Sequence, residues 1–400
     1  MRETIHSQYN ADSQVKIGKL LPFDLFLRNV QSTDTRKIYQ CMVQILQRQP
    51  SALKIQVGHL ARQLILSEGL HAQHVDIIPG AAGGPKGIGI QGLDQAIFGT
   101  FLPQSPQRRT LIGSSIGSWR FASIAAHGAQ KGTNLLADLY TNLHFNNKMS
   151  RAEVSKICQE MLKSLVEDKE TALVNHADYH LTILSIKAQH IFKSDQALPL
   201  LAAVAGIVGT TAIGRQHSRH FMQRVISQPP IGKQFQIAAD PFTTHYHALT
   251  QHSVMDWLMA SASIPGVMSA VKNIADAPAG AYRDGGLIDY HIDLPFQSEG
   301  LVLYPHFTDT ITPGWFDKLF KRTANPTHQA RTVLICPSAE YLKSLPLGRL
   351  PDRKDFTLKG LDQQKRIKLW KQCIGESQRL GDEFLALVEK QNFADVMQNL

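Results

Sequence analysis

Cysteine is scarce in this chain. Cys41, Cys158, Cys336 and Cys373 are the four in 400 residues, and no two make a C-x-x-C pair. That spacing suggests neither a zinc site nor a dithiol redox pair, and it fits a reducing compartment. Charge is sparse too, at 19% of residues, slightly below the usual level for a soluble protein. Acidic residues are missing altogether between Asp94 and Asp138. The opening Met1-Arg2-Glu3-Thr4-Ile5-His6-Ser7 holds no apolar run, so no secretory signal of the usual kind is expected. A cytoplasmic location, extended by peripheral membrane contact, is the expectation. No nucleic-acid-binding signature occurs, and the basic residues are dispersed apart from Lys365, Arg366, Lys368 and Lys371. The formal charge of +9 therefore points to an anionic membrane surface or a merely solvated face, with no nucleic acid expected.

What is present is organised around Gly113-Ser114-Ser115-Ile116-Gly117, a G-x-S-x-G pattern. Arg109-Thr110-Leu111-Ile112 before it is β-prone, and Ser118 to His127 after it reads as a helix closing at Gly128. A strand, a serine between glycines and a helix make a nucleophile elbow. Gly113 and Gly117 let the turn take strained angles and let a substrate approach closely. The helix start turns its N–H groups and positive dipole end toward a developing oxyanion. Alone the pattern is weak, because Gly and Ser are common loop residues; its support lies in the flanking segments.

Upstream, Val75–Ile78 reads as a strand entering Gly80-Ala81-Ala82-Gly83-Gly84-Pro85-Lys86-Gly87. A Gly-rich turn after a strand presents backbone N–H groups to an anion. Three readings compete. The phosphate loop G-x-x-x-x-G-K-[ST] fails, because Pro85 separates Gly84 from Lys86 and Gly87 stands where Ser or Thr is needed. Gly87-Ile88-Gly89-Ile90-Gln91-Gly92 matches the dinucleotide fingerprint in form, but the ribose-binding acid wanted about 20 residues on is missing. Arg108 and Arg109 would have to serve a 2′-phosphate instead. The third reading is an oxyanion loop for acyl transfer. Downstream, Asp284-Gly285-Gly286 is either an Asp-Gly turn between strands or an aspartate held so that it reaches the serine.

Taken in order, these segments resemble the patatin-like phospholipases. The resemblance rests on Gly83-Gly84-Pro85-Lys86-Gly87, on Gly113–Gly117, on Ala260-Ser261-Ala262-Ser263-Ile264-Pro265-Gly266 and on Asp284-Gly285-Gly286, and spans about residues 73–340. It implies a Ser-Asp dyad on a three-layer α/β/α fold with a largely parallel central sheet, and a glycine loop as oxyanion hole. By position, Ser115 is the implied nucleophile and Asp284 the implied base. Gly83, Gly84, Lys86 and Gly87 fall on the oxyanion loop, and Gly113, Gly117, Gly285 and Gly286 flank the pair. The loop opens Gly-Ala-Ala-Gly-Gly instead of with an unbroken glycine run, which leaves the individual N–H donors open. The implied activity is phospholipase A or lysophospholipase chemistry on a lipid acyl ester, without cofactor or metal. Lys86 either approaches a phosphate or packs its stem on the loop.

The rest of the chain fits around that centre. Hydrophobic content of 43% supports a sizeable core. Strand, glycine loop, helix Gly92–Phe101, strand and elbow helix alternate, which argues for a parallel sheet covered on both faces. Ligands bind at the carboxyl ends of such strands, so one cleft can hold both the loop and Ser115. The expected organisation is a helical N-terminal extension over 1–72, a catalytic domain over 73–340 and a C-terminal helical segment over 341–400. In the extension, residues 1–13 are polar. Asp34 is a candidate helix start, Ile38, Met42, Ile45 and Leu46 make one stripe, and Pro50-Ser51 breaks it from a second, Leu53, Val57, Leu60, Ala61 and Leu64. Residues 134–175 read as helical, His180–Lys187 and Phe235–Ala238 as strands, Ser253–Ser263 as a helix, and Gly300–Tyr304 and Thr332–Cys336 as strands. Gln196 to Gly214 holds no charge. It reads as a buried or capping helix, with a lid or interfacial insertion as the functional alternative; Pro199 and three glycines weaken a membrane span. His245 and His247 share a strand face, but no matching ligand pattern accompanies them.

Two other readings of the chemistry stay open in the sequence. One is an α/β-hydrolase esterase whose base is a histidine, with His291, His306 and His328 following Asp284. The other is a lipid-binding protein that keeps the fold without catalysis.

Overall fold

The computed structural model describes residues 51–146 and 148–400. The expected helix start at Asp34, the stripe of Ile38, Met42, Ile45 and Leu46, and Cys41 lie outside the described residues. From residue 51 the chain forms β1 (Leu53–Val57) and α1 (His59–Glu68). Strand β2 (Val75–Gly80) passes through a tight helical turn (Gly84–Ile90) into α2 (Gln91–Ala96). Strand β3 (Arg109–Ser114) runs into α3 (Ile116–His127). Helices α4 (Ala129–Asn142), α5 (Arg151–Val166) and α6 (Glu170–Val174) precede β4 (Tyr179–Ala188). Then come α7 (Ala197–Ile213), β5 (Met222–Gln228), β6 (Thr244–Ala248) and α8 (Val254–Ala262). Short strands β7 (Val271–Lys272) and β8 (Ala281–Asp284) follow, then β9 (Leu301–Pro305) and β10 (Thr332–Pro337). Helices α9 (Ala339–Ser344), α10 (Gln363–Glu376), α11 (Gln378–Lys390) and α12 (Phe393–Val396) and strand β11 (Met397–Asn399) close the chain.

All the described strands belong to one eleven-stranded sheet, ordered β11-β1-β10-β9-β2-β3-β4-β5-β6, with β8 against β4 and β7 against β8. From β10 to β4 every neighbour is parallel. The covered, near-continuous apolar strands of a parallel sheet are what Ile77, Ile78, Leu111 and Ile112 supply. Alternation along each strand sorts the sides: Leu111, Leu301 and Leu303 join the large helix-covered core, while Ile112 and Val302 face the opposite layer with Phe235, Ile292 and Leu294. Helix α7 covers a third cluster with Leu200, Ala203 and Ile207. The expected three-layer α/β/α architecture with a largely parallel sheet is therefore the observed one.

The register around β4 positions everything that follows. Strand β3 pairs along one edge of β4 up to Ser114 opposite Leu184. Strand β8 continues along the same edge in the opposite direction, with Asp284 opposite Ser185; the other edge at that height is taken by β5. Two strands thus approach head-on and end at adjacent positions.

Several expectations need correction. Leu53 and Val57 are not part of a helical stripe. They lie on β1, which pairs antiparallel with β10 and parallel with β11. Leu53 and Val57 share a helical face as well as a strand face, Ile55 fits only the strand period, and the sheet edge decides. The first and last described segments therefore both contribute strands to the sheet. Residues 134–175 are helical in three pieces, with irregular stretches at 143–146 and 148–150. Phe235–Ala238 is not a strand; only Ile237 bridges Phe296. Strands β5 and β6 frame it instead, and His245 and His247 lie on β6, His245 bonded to Gln223 and His247 stacked on Trp257. No described helix is long and apolar enough to cross a membrane.

The elbow helix meets the sheet through bare backbone. A Cβ on Gly117 would stand 1.8 Å from the Gly80 carbonyl oxygen at the end of β2. Gly117→Ala is therefore expected to lower unfolding free energy by at least about 1–3 kcal/mol in a urea melt. Gly209→Ala on α7, where the new methyl meets nothing within 4 Å, should raise it by roughly 0.5–1 kcal/mol. Equal effects at the two sites would refute this packing.

Candidate active site

Ser115 sits in the turn between β3 and α3 with φ 55° and ψ −124°, a backbone region that a side chain disfavours and that costs of order 1–3 kcal/mol. Three hydrogen bonds hold it there. Its N–H donates to Ser261 Oγ at 2.9 Å, and Ser261 Oγ donates to the Leu184 carbonyl at 2.6 Å. Its carbonyl accepts from Ser118 Oγ at 2.7 Å. Helix α8 also fixes the other half of the site, because the Ser263 carbonyl accepts the Asp284 N–H at 3.1 Å. In the sequence this segment carries part of the family resemblance but no chemistry of its own. The alternation Ser261-Ala262-Ser263 at a helix end was the signal: small hydroxyls where a core helix meets two strand ends.

The head-on strands bring the side chains together. Ser115 Oγ donates to Asp284 Oδ2 at 3.0 Å, and the Gly286 N–H donates to Asp284 Oδ1 at 2.7 Å. Both residues are buried. Burial is the main cause that pushes the Asp284 carboxyl up to about 6, and the positive charge of Arg353, the Gly286 N–H and the Ser115 hydroxyl oppose it.

The glycines fall where the elbow needs them. Gly113 is the last residue but one of β3, and Gly285 and Gly286 open the turn after Asp284. Gly83 is extended and Gly84 takes the left-handed φ of +58°. As first residues of their helical turns, Gly84 and Ile116 have no intrahelical acceptor for their N–H groups, and both line one cavity with Ser115. Gly87 packs against Arg120 and Ile116. Lys86 turns outward: its Nζ lies 3.5 Å from Asp352 and 5.7 Å from the centre of the Phe307 ring. Gly92 does not face a ligand. Its N–H donates to Ser377 Oγ at 2.9 Å, and a Cβ there would stand 2.2 Å from the Ser377 carbonyl oxygen. The C-terminal helices cover the end of the dinucleotide-like pattern.

Two cavities meet at Ser115. One, of about 460 Å³, is walled chiefly by apolar residues, among them Trp119, Leu143, Val154, Met161, Val267 and Met268. The other, of about 340 Å³, reaches past Asp284 and Tyr290 to Val204 of α7 and to Trp315 and Phe316. Arg353 borders both. It comes from a tight turn (Arg353–Phe356) in the C-terminal segment, and its charge acts on Asp284, Tyr140 and Tyr290. No motif marked it, since a lone arginine in a loop carries no pattern.

The histidines that follow Asp284 are engaged elsewhere. His291 Nδ1 contacts the Thr310 carbonyl and accepts the Thr312 N–H, and His306 Nδ1 contacts the Thr308 carbonyl. Burial holds both rings below their ordinary range, His306 at about 3. His328 bonds Asp293 at 3.2 Å, which raises its proton affinity.

A family model described as Patatin-like phospholipase matches residues 89–292, half of the chain. The match contains Ser115, Ser261 and Asp284 and begins just after Gly87. No curated protein matches the chain.

Burying a carboxylate has a cost that can be read. Asp284 holds a proton more tightly folded, at about 6, than at its ordinary 3.8. The folded state therefore binds more protons between those values, and stability falls as pH rises through the window. The full penalty, of order 3 kcal/mol, is present above about pH 6 and absent below about pH 4. Asp284→Asn should raise the Tm at pH 7.5 and lose that advantage at pH 4. A Tm change independent of pH would contradict a strained carboxylate.

Proposed function

Because the chain belongs to the patatin-like phospholipase family, we propose that it is a serine acyl hydrolase of phospholipase A or lysophospholipase type, with Ser115 as nucleophile and Asp284 as base. The observation that carries this reading is the 3.0 Å bond from Ser115 Oγ to Asp284 Oδ2 at the junction of two cavities. A serine hydroxyl needs a base to take its proton. An aspartate of ordinary pKa is a weak base, and one held at about 6 is better matched to neutral pH.

As Ser115 Oγ attacks the acyl carbonyl, its proton moves to Asp284 Oδ2 while Gly286 keeps Oδ1 in place. The carbonyl electrons collect on oxygen, which the N–H groups of the Gly83–Gly87 loop and of Ile116 receive; one such donor is worth about 3 kcal/mol. Collapse expels the alcohol, which takes the proton from Asp284, and leaves an acyl-Ser115 ester. Water then attacks that ester with Asp284 again as base, and collapse expels Ser115 Oγ, which takes the proton back from Asp284 as the free fatty acid departs. The larger apolar cavity suits the acyl chain, and the smaller one suits the glycerol side of a lipid. Arg353 at the shared rim offers a cation to the phosphate of such a lipid. The partner histidine-base reading is less well supported, because the hydroxyl of Ser115 bonds a carboxylate and the candidate imidazoles have other partners.

The test is fatty-acid release from phospholipid vesicles. Ser115→Ala and Asp284→Asn should each lose at least about a thousandfold in turnover, and a fluorophosphonate probe should label the wild type but not Ser115→Ala. Loss in Ser115→Ala with activity kept in Asp284→Asn would move the base to another residue. Folded wild type that is neither labelled nor active would favour a lipid-binding protein. In addition, kcat/KM should fall as pH drops through about 6, as Asp284 gains its proton. Arg353→Gln should move that acidic limb upward, because Arg353 favours the ionised carboxylate. An unmoved limb would remove Asp284 as the titrating base.

A further inference from the structure

Helix α7 is uncharged from end to end, yet only one side of it is buried. Leu200, Ala203, Ile207 and Thr211 point inward. The opposite side presents Leu198, Leu201 and Ile213 at 80%, 67% and 81% exposure, with Ala202, Ala205, Gly209 and Ala212 exposed between them. A surface helix ordinarily shows charged or polar residues to water. The tight turn Phe316–Phe320 packs beside α7. It extends the patch with Leu319 at 62% and the preceding Trp315 at 45% exposure. Val204, Trp315 and Phe316 are also walls of the cavity that holds Ser115 and Asp284. The patch therefore borders the cavity of the site.

Its charge is one-sided. Lys193, Arg219 and Lys321 are exposed on the elements that flank α7, and among the described residues none has a carboxylate within 4.0 Å. The acids of the same elements are engaged: Asp195 with Arg283, and Asp317, buried, with Arg215 and Arg322. Apolar side chains around a cavity mouth, one tryptophan at their edge and a rim of cations suit the boundary between headgroups and acyl chains.

We propose that the exposed side of α7, with Trp315 and Leu319, docks onto an anionic phospholipid bilayer and admits lipid to the cavity beside Asp284. The inference rests on the acyl-hydrolase reading for its substrate, but docking itself requires no turnover. Leu198 and Leu201 enter the acyl region, and Lys193, Arg219 and Lys321 meet the headgroups.

Full-length Ser115→Ala protein, which leaves vesicles intact under the proposed mechanism, is sedimented with phosphatidylcholine vesicles with and without phosphatidylglycerol. Binding should be stronger with phosphatidylglycerol and weaken as salt is raised. Leu198→Asp with Leu201→Asp should reduce partitioning at least about tenfold. In the Ser115 background the same double variant should hydrolyse a water-soluble short-chain ester within about twofold of wild type. Trp119, Trp257 and Trp370 are at most 3% exposed, so a blue shift of tryptophan emission on adding vesicles reads Trp315, and Trp315→Phe should abolish it. Equal partitioning of variant and wild type, or no sedimentation with anionic vesicles, overturns the proposal. A dimer that the double variant dissociates would assign the patch to a second copy of the chain. Docking that is lost in the variant while wild type hydrolyses no ester would keep this inference and discard the catalytic one.

Discussion

Two strand ends meet on one edge of β4, and the site depends on that meeting. Strand β3 comes up the edge parallel to β4, and β8 comes down it antiparallel, so that Ser114 and Asp284 stand opposite the consecutive residues Leu184 and Ser185. Neither chain can continue along the edge. The first turns into α3 through the strained backbone of Ser115, and the second turns out through Gly285 and Gly286. Residues 169 apart in sequence thus reach hydrogen-bond distance without either side chain having to stretch. The strain at Ser115 persists because the surroundings over-determine it. Ser261 holds its N–H, Ser118 holds its carbonyl, and α3 lies against the backbone of β2 at Gly117.

The same junction sets the electrostatics. A carboxylate at the closed end of two strands is shielded from water, and that raises its affinity for a proton. A base needs this, but a base too deeply buried would stay protonated at neutral pH. Four groups pull the other way: the positive charge of Arg353, the Gly286 N–H, the Ser115 hydroxyl and the positive charge of Lys318. The balance leaves Asp284 mostly ionised near neutrality yet far more basic than an exposed aspartate. Arg353 belongs to the segment after β10, and α10 and α11 of that segment also cover the glycine-rich stretch at Gly92. The C-terminal part of the chain is thus built into the site from two sides.

The site was legible from the sequence where the chemistry is local. A serine between glycines after a β-prone run, and an aspartate before two glycines, are each constrained by backbone geometry, so their residue types announce them. Gly83, Gly84 and Gly117 belong to the same class. What stayed hidden is set by tertiary contact. Ser261 and Ser263 are ordinary helix-end residues until the helix lies across two strand ends. Arg353 is an ordinary loop cation until its turn lies over Gly84. In the fold, β2, β3 and β4 could be read because apolar runs bounded by turns have few alternatives. Strand β1 was misread because Leu53 and Val57, four apart, also fit a helical stripe with Leu60, Ala61 and Leu64, and its partners lie more than two hundred residues away in β10 and β11. Strand β5 escaped notice because buried Arg224, paired with Asp289 and Asp240, breaks the apolar alternation that announces a strand, and β6 showed only in the strand face shared by His245 and His247.

A carboxylate base and a greasy cavity impose a common requirement on the protein's surface. Asp284 keeps its raised proton affinity only while water is scarce around it, and under the proposed function the larger, chiefly apolar cavity takes an acyl chain. A substrate of that kind does not arrive through bulk water in useful amounts; it is delivered from an aggregate. The entrance beside Asp284 must then be compatible with a lipid surface and must still close off water once occupied. A helix with charged residues on its outer side would hydrate that entrance. Helix α7 has none: its inner side seals the cluster under it with Leu200, Ala203 and Ile207, and its outer side offers only aliphatic groups. The absence of charge from Gln196 to Gly214, which in the sequence was compatible with a core helix, a lid or a span, fits both duties under the proposed docking: the inner half shields the site, and the outer half tolerates a lipid surface.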